Sequence, residues 1–264
     1  MDTNNRRTRE TYLSVKSDDD TNGHVSDFKI TLNSSIGRFL TESSSVEVVA
    51  ATFIHGVYNI SSNIDLLYLT DPDSVSHVIS PSSGHWNVTD LIAFLNEQFG
   101  IIFEGSGGSV TMTLSTNGIL EISTELDISI NGKLWNRLGF DNVVMTAGDT
   151  VDATRIPNLF SPLGSSVKIH EDSGCARHSW GSNLELGPTY LLTEIPISDV
   201  KFAQQQAVTF PPGTWRHMFL NVRDLSAASL HFQIKDSQGV QVDRTYFDAI
   251  CRIELVLKIQ SYVN

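Results

Sequence analysis

The chain has 264 residues, with 18 Lys+Arg against 30 Asp+Glu for a formal net charge of −12, and only 18% of its residues are charged. Serine (31) and threonine (21) together outnumber the charged side chains. An apolar content of 40% excludes a disordered chain. The acidity excludes a generic basic surface for nucleic acid. No apolar run reaches the 18 residues of a membrane helix, and the first residues lack the apolar segment of a secretory signal. Two cysteines, Cys175 and Cys251, are too few for a disulfide framework.

Residues 1–10 carry Arg6, Arg7 and Arg9 without apolar periodicity and read as a flexible arm. Asp18-Asp19-Asp20 with Asn22-Gly23 is turn chemistry. Phe28 to Leu32 alternates like a half-buried strand. Val46 to Ile54 is apolar on both faces, which predicts a strand running through the middle of a sandwich. Two short strands are expected at Leu66 to Leu69 and Ser76 to Ser80. A helix follows over Val88 to Phe99, with Val88, Leu91, Ile92, Leu95 and Phe99 as its apolar stripe. Asn87 is its N-cap, Asp90 imitates a capping box, and Trp86 is placed to staple onto Leu91. Gly100 suits the left-handed residue that ends a helix. Val110 to Leu114 and Ile119 to Ser123 form a hairpin through Asn117-Gly118, and Leu134 to Phe140 reads as a short helical turn. Further strands are expected at Ser166 to His170, Thr189 to Ile195, Trp215 to Asn221, Ser229 to Lys235, Val240 to Asp243 and Ile253 to Val263. In the last of these Ile253, Leu255, Leu257 and Ile259 face inward.

No nucleophile elbow, phosphate-binding loop or H-E-x-x-H pattern is present. Gly105-Ser106-Gly107-Gly108 leads into a strand, so it lacks the helix end that would hold phosphate. The densest polar run holds His170, Glu171, Asp172, Cys175 and His178, all metal-ligating types, but their spacing fits no zinc pattern. It reads as a solvated loop. No cofactor, metal or catalytic residue is assigned. Asn33-Ser34-Ser35, Asn59-Ile60-Ser61 and Asn87-Val88-Thr89 match the glycosylation triplet at the rate expected in a hydroxyl-rich chain.

The order of these pieces resembles the penton (minor capsid, vertex) proteins of the polinton, adintovirus and virophage lineage of double-jelly-roll DNA viruses. The landmarks are Ser26 to Leu32, then Val46 to Ile54 leading into Val57-Tyr58-Asn59-Ile60, then Gly84-His85-Trp86-Asn87 with its helix. Leu134-Trp135-Asn136-Arg137-Leu138-Gly139-Phe140 and the hairpin Phe232 to Gly239 before a final apolar strand complete the set. The resemblance implies a mainly β chain, a single jelly-roll β-sandwich (11–64 and 146–264) with a small α+β, ββαββ-like insertion (65–145). It implies a homopentamer at the icosahedral fivefold vertices of a virion assembled in the host cell. The partners would be the major capsid protein and, beyond it, other minor capsid proteins or a vertex fibre. Arg6, Arg7 and Arg9 then read as an assembly arm. The resemblance brings no catalytic residues, so no enzyme is expected. A jelly-roll carbohydrate-binding or host-attachment module is the alternative, with Trp86, Trp180 and Trp215 as the rings for sugar stacking, and a metal enzyme using His170, Cys175 and His178 is a further one.

Overall fold

Alternation with a period of two builds most of this molecule. Along the last strand Ile253, Leu255, Leu257 and Ile259 are buried, whereas Glu254, Val256, Lys258 and Gln260 are half-buried on the other face. The computed structural model describes residues 7–20, 23–31, 45–171, 176–178, 190–197, 201–215, 218–220 and 229–263. The chain divides into two compact units, Met1–Val57 with Pro162–Asn264, and Tyr58–Ser161.

In chain order, the first unit opens with β1 (Arg7–Lys16), β2 (Asp27–Thr31) and β3 (Ser45–Ile54). The second unit holds β4 (Leu67–Thr70), β5 (Ser76–Ile79), α1 (Val88–Ile102), β6 (Val110–Leu114), β7 (Leu120–Thr124), β8 (Ile128–Asn131), α2 (Lys133–Arg137), β9 (Val143–Met145) and β10 (Thr150–Asp152). The first unit resumes with β11 (Ser166–Glu171), β12 (Ala176–His178), β13 (Tyr190–Pro196), β14 (Gln205–Thr209), β15 (Met218–Leu220), β16 (Ser229–Lys235) and β17 (Arg252–Val263).

The first unit contains two antiparallel sheets. One runs β1-β17-β3-β15-β12, with β14 also paired to β3, and the other runs β13-β11-β16-β2. Eight principal strands in chain order are β1, β2, β3, β11, β13, β14, β16 and β17. The first sheet then reads first-eighth-third-sixth, and the second fifth-fourth-seventh-second. This is the strand order of a jelly roll, two interlocked Greek keys, so the expected fold class is met. Inward residues of the first sheet (Val15, Val48, Phe53, Leu255) and of the second (Phe28, Val167, Ile169, Phe232, Ile234) are all buried. Phe28 and Phe232 lie opposite each other and stack at 5.1 Å. Burying each such side chain contributes about 1.5–3 kcal/mol before conformational entropy is subtracted.

The second unit has sheets β5-β4-β8-β9 and β10-β7-β6. Its core joins Leu91, Leu95 and Phe99 of α1 to Leu67, Leu69, Met112, Ile122 and Trp135. Asn87 Oδ1 accepts the Asp90 backbone N–H at 2.8 Å, which confirms the cap. Asn96, one position from Leu95, covers the edge of β6. Its amide donates to the Met112 carbonyl at 2.9 Å and its oxygen accepts the Met112 N–H at 2.8 Å.

Several expectations are corrected. Residues 7–10 are not arm but the start of β1, paired residue for residue with β17 from Arg7↔Val263 to Glu10↔Gln260. An edge strand needs only one inward row, here Thr11, Leu13 and Val15, so its outer end is free to be polar. Gly100 does not end the helix; α1 continues to Ile102 and its last N–H bonds are made at Phe103. Asp90 accepts the Asn87 side-chain amide instead of the Asn87 backbone N–H, and the Trp86 ring lies on Phe94 at 5.4 Å. Val240 to Asp243 is no strand, because after the turn at Asp236 to Gly239 only one bridge, Lys235↔Gln241, forms. The region read as 65–145 lies within the wider Tyr58–Ser161 unit, where Asn59 and Asn158 to Phe160 are hydrogen-bonded to residues of the unit's interior. β8, β9, β10, β12 and β14 were not foreseen.

Candidate functional site

β1 lies at an edge of the first sheet, and it carries two of the three arginines assigned to assembly. Arg9 stands opposite Ser261, Arg7 opposite Val263, and Arg6 lies outside the described residues. The outward face of β1 and β17 is a ladder of paired charges. Lys258 Nζ lies 2.9 Å from Glu10, which also accepts from Gln260. These hydrogen bonds hold the Glu10 carboxyl below its usual range, and the Glu10 bond raises the Lys258 amine. Tyr12, opposite Lys258, is 60% exposed. At the other end of the ladder a shallow cleft of about 240 Å³ is lined by Lys16, Asp18, Gln205, Arg252 and Glu254. Lys16 lies 3.7 Å from Glu254 and Arg252 lies 3.1 Å from Asp18. These exposed pairs fix little energy, and they leave the cleft floor internally neutralised.

The 170–178 run is divided by the fold. His170 and Glu171 end β11 in one sheet, His178 ends β12 in the other, and Asp172 and Cys175 lie outside the described residues. Among the described residues no three His, Cys, Asp or Glu side chains are grouped as metal ligands. Burial, followed by Lys235 and Lys168, pushes the His170 imidazole down to about 4. Cys251 is buried, and burial raises its thiol to about 12, which makes it inert at neutral pH.

Two polar clusters gave no sequence signal. On the outward face of the second sheet Asp27 is held by His231 and by Arg244 at 3.2 Å. In the second unit Arg137 Nη1 lies 3.0 Å from the buried Asp65 carboxylate. The same guanidinium donates to the carbonyls of Asn59 (2.6 Å), Asn158 (3.2 Å) and Phe160 (3.1 Å). Asn59 in turn donates to the carbonyls of Trp86 and Leu159 and accepts the Trp86 N–H. Asn59 thus uses both amide donors and its oxygen within the fold, and Asn87 uses its oxygen and one N–H on Asp90. Asn33 lies outside the described residues.

Of the tryptophans proposed for sugar stacking, Trp86 is half-buried, donates to the Ser82 carbonyl at 2.8 Å and packs on Phe94. Trp215 is half-buried against Phe210 at 5.8 Å, and Trp180 lies outside the described residues. No described helix is long and apolar enough to cross a membrane.

No family model matches the sequence, and no curated protein sequence matches it. Among solved structures, the chain is similar to the mavirus penton protein, at 12% identity and a TM-score of 0.45, over 97% of this chain and 100% of that one. It is also similar to a chain in the cryo-EM structure of the Sputnik virophage, at 10% identity and a TM-score of 0.38, over 97% of both.

Proposed function

We propose that this chain is a structural virion protein, a penton that forms a homopentamer at the fivefold vertices of an icosahedral capsid and contacts the major capsid protein. The observation that carries this reading is a jelly-roll strand order interrupted between its third and fourth strands by a folded α+β unit. The sequence landmarks of vertex proteins fall in the same order along it. The physics of the role agrees with the residues. A ring of identical copies joins unlike patches of neighbouring chains and closes on itself. A low charged fraction suits surfaces that become covered. Arg6, Arg7 and Arg9, on and before an edge strand, are the residues assigned to neighbouring capsid subunits. No catalytic role is assigned.

The test is the mass of the purified full chain by native mass spectrometry, with negative-stain images of the same sample. The expected result is a five-copy ring of about 146 kDa, five chains of 29.1 kDa each. A chain that stays monomeric at high concentration and fails to bind its major capsid protein would overturn the reading.

A further inference from the structure

Three Asn-Gly pairs occur in the sequence, at 22–23, 117–118 and 131–132. A glycine after asparagine leaves the side-chain carbonyl open to the next backbone nitrogen, because no Cβ stands in the way. Asn22 lies outside the described residues, and the fold treats the other two pairs in opposite ways.

Asn131 is the last residue of β8 and is paired with Tyr68 of β4. Gly132 is wedged against the chain just before β4. A Cβ on it would fall 2.5 Å from the Leu66 carbonyl oxygen, and that carbonyl accepts the Leu134 N–H at 3.0 Å. The Gly132 carbonyl accepts the Asn136 N–H at 3.1 Å and so starts α2. Turning the peptide between Asn131 and Gly132 therefore disrupts a sheet pair and a helix start together.

Asn117 stands at the exposed tip of the β6–β7 hairpin. The Ser115 N–H donates to the Ile119 carbonyl at 2.9 Å, and the Gly118 N–H donates to the Ser115 carbonyl at 3.0 Å. Freeing the Gly118 nitrogen opens this turn alone and leaves the pairs from Val110↔Thr124 to Thr113↔Glu121 in place. Two donors converge on Asn117 Oδ1, the Ser115 hydroxyl and the Ile119 N–H at 3.3 Å. The hydroxyl also reaches the Ile119 carbonyl at 2.6 Å, so its one proton serves two acceptors. An amide oxygen that gains negative charge becomes the stronger acceptor and draws that proton to itself. This contact tightens as the reaction proceeds, which is how a donor lowers a barrier.

We propose that Asn117 is a site of self-driven deamidation in the folded protein, with Ser115 and Ile119 steadying the negative charge that develops on its side-chain oxygen. Hydroxide takes the Gly118 N–H proton, and the nitrogen attacks Asn117 Cγ to form a cyclic imide. The bond from Cγ to Nδ2 breaks, and that nitrogen takes a proton from water and leaves as ammonia. Water then opens the ring on either side of its nitrogen, giving an aspartyl or an isoaspartyl residue, and nothing is oxidised or reduced. The product adds a carboxylate to residues 58–161, which already hold twelve Asp and Glu against Lys133, Arg137 and Arg155. The isoaspartyl form also inserts a methylene into the hairpin backbone. The inference is independent of the pentamer reading.

The experiment stores the full chain at mildly alkaline pH and maps its peptides over time by mass spectrometry that separates aspartyl from isoaspartyl products. In the folded wild type, position 117 is expected to convert about tenfold faster than position 131, because a turn opens at less cost than a paired strand. In denaturant the two rates are expected to converge. Ser115→Ala is expected to slow position 117 about threefold, less than the loss of such a donor in a closed active site. Ser115→Thr keeps the hydroxyl and is expected to hold the wild-type rate. Circular dichroism checks that both variants keep the fold, and the comparison of positions 117 and 131 needs no variant. Equal rates at the two positions in the folded chain would overturn the inference. A gap of the same size in denaturant would overturn it too, since sequence alone would then account for it. So would a folded Ser115→Ala chain that converts as fast as the wild type.

Discussion

The Arg137 guanidinium sits 3.0 Å from a carboxylate, Asp65, that has no exposure to solvent at all. Removing one partner of such a pair strands a charge in the interior, which costs about 3–5 kcal/mol. Arg137→Ala is therefore expected to lower the urea midpoint of the protein's unfolding more than any exposed charge deletion. Arg137→Lys is expected to rescue little, because a single ammonium cannot reach Asp65 and three carbonyls in different directions. A stability within about 0.5 kcal/mol of wild type for Arg137→Ala would contradict this account.

Gly139 has φ +97° and lies against the chain at Arg155. A Cβ there would fall 2.0 Å from the Arg155 carbonyl oxygen. Gly118 has φ +79° in the β6–β7 hairpin with nothing near its Cβ position. Both substitutions to alanine pay the left-handed penalty of about 1–2 kcal/mol, but only Gly139→Ala adds a collision with backbone. Thermal melts are expected to separate them, with the Gly139 variant clearly less stable. Equal melting temperatures would show that the contact relaxes at no cost.

The His170 pKa of about 4 gives a signed pH dependence. Above about pH 6.5 neither the folded nor the unfolded state carries the proton. Between about 6.5 and 4 the unfolded state binds a proton that the folded state refuses, so stability falls as the pH falls through that window and the loss levels off below it. After discounting for partial exposure, this residue's share is on the order of 1–2 kcal/mol. Urea midpoints measured from pH 7 to 4 should fall more steeply for the wild type than for His170→Gln. Parallel curves would remove His170 from the acid response.

Cys251 is expected to resist thiol reagents in the folded protein, since burial, with a lesser push from Asp248, holds its pKa near 12. In a Cys175→Ser chain, labelling at pH 8 should give no adduct until denaturant is added, and then one. Rapid labelling without denaturant would place Cys251 at the surface.

Much of this architecture was legible because its signals are local. The stripe through Leu91, Leu95 and Phe99 and the alternation of Ile253 to Ile259 each repeat often enough to declare a period. β8, β9, β10 and β12 span three or four residues, too few for a period to appear. β14, with the sequence QQAVT, has no buried residue and pairs with β3 at the backbone. β1 misled for the same reason, as its first residues owe their place to β17 and not to their own apolarity. The polar clusters were invisible for a different reason. Asp65 and Arg137, like Asp27, His231 and Arg244, meet only through tertiary folding, and no spacing announces them. Charge was misread in one respect as well. Composition showed an acidic body, and only the sheet registers revealed that lysines of distant segments share one face.

Asn59 donates to the carbonyl of Leu159 at 2.9 Å, so the two chain ends of the Tyr58–Ser161 unit are held side by side by the unit itself. For the jelly roll, this changes the meaning of its longest connection. A flexible link of that length would raise the entropic cost of bringing β3 and β11 into their sheets. A folded module whose ends already meet behaves, in chain statistics, like a tight loop. The third-to-fourth strand link thus adds to the jelly roll a closure cost set by the separation of the module's ends and not by the number of residues between them.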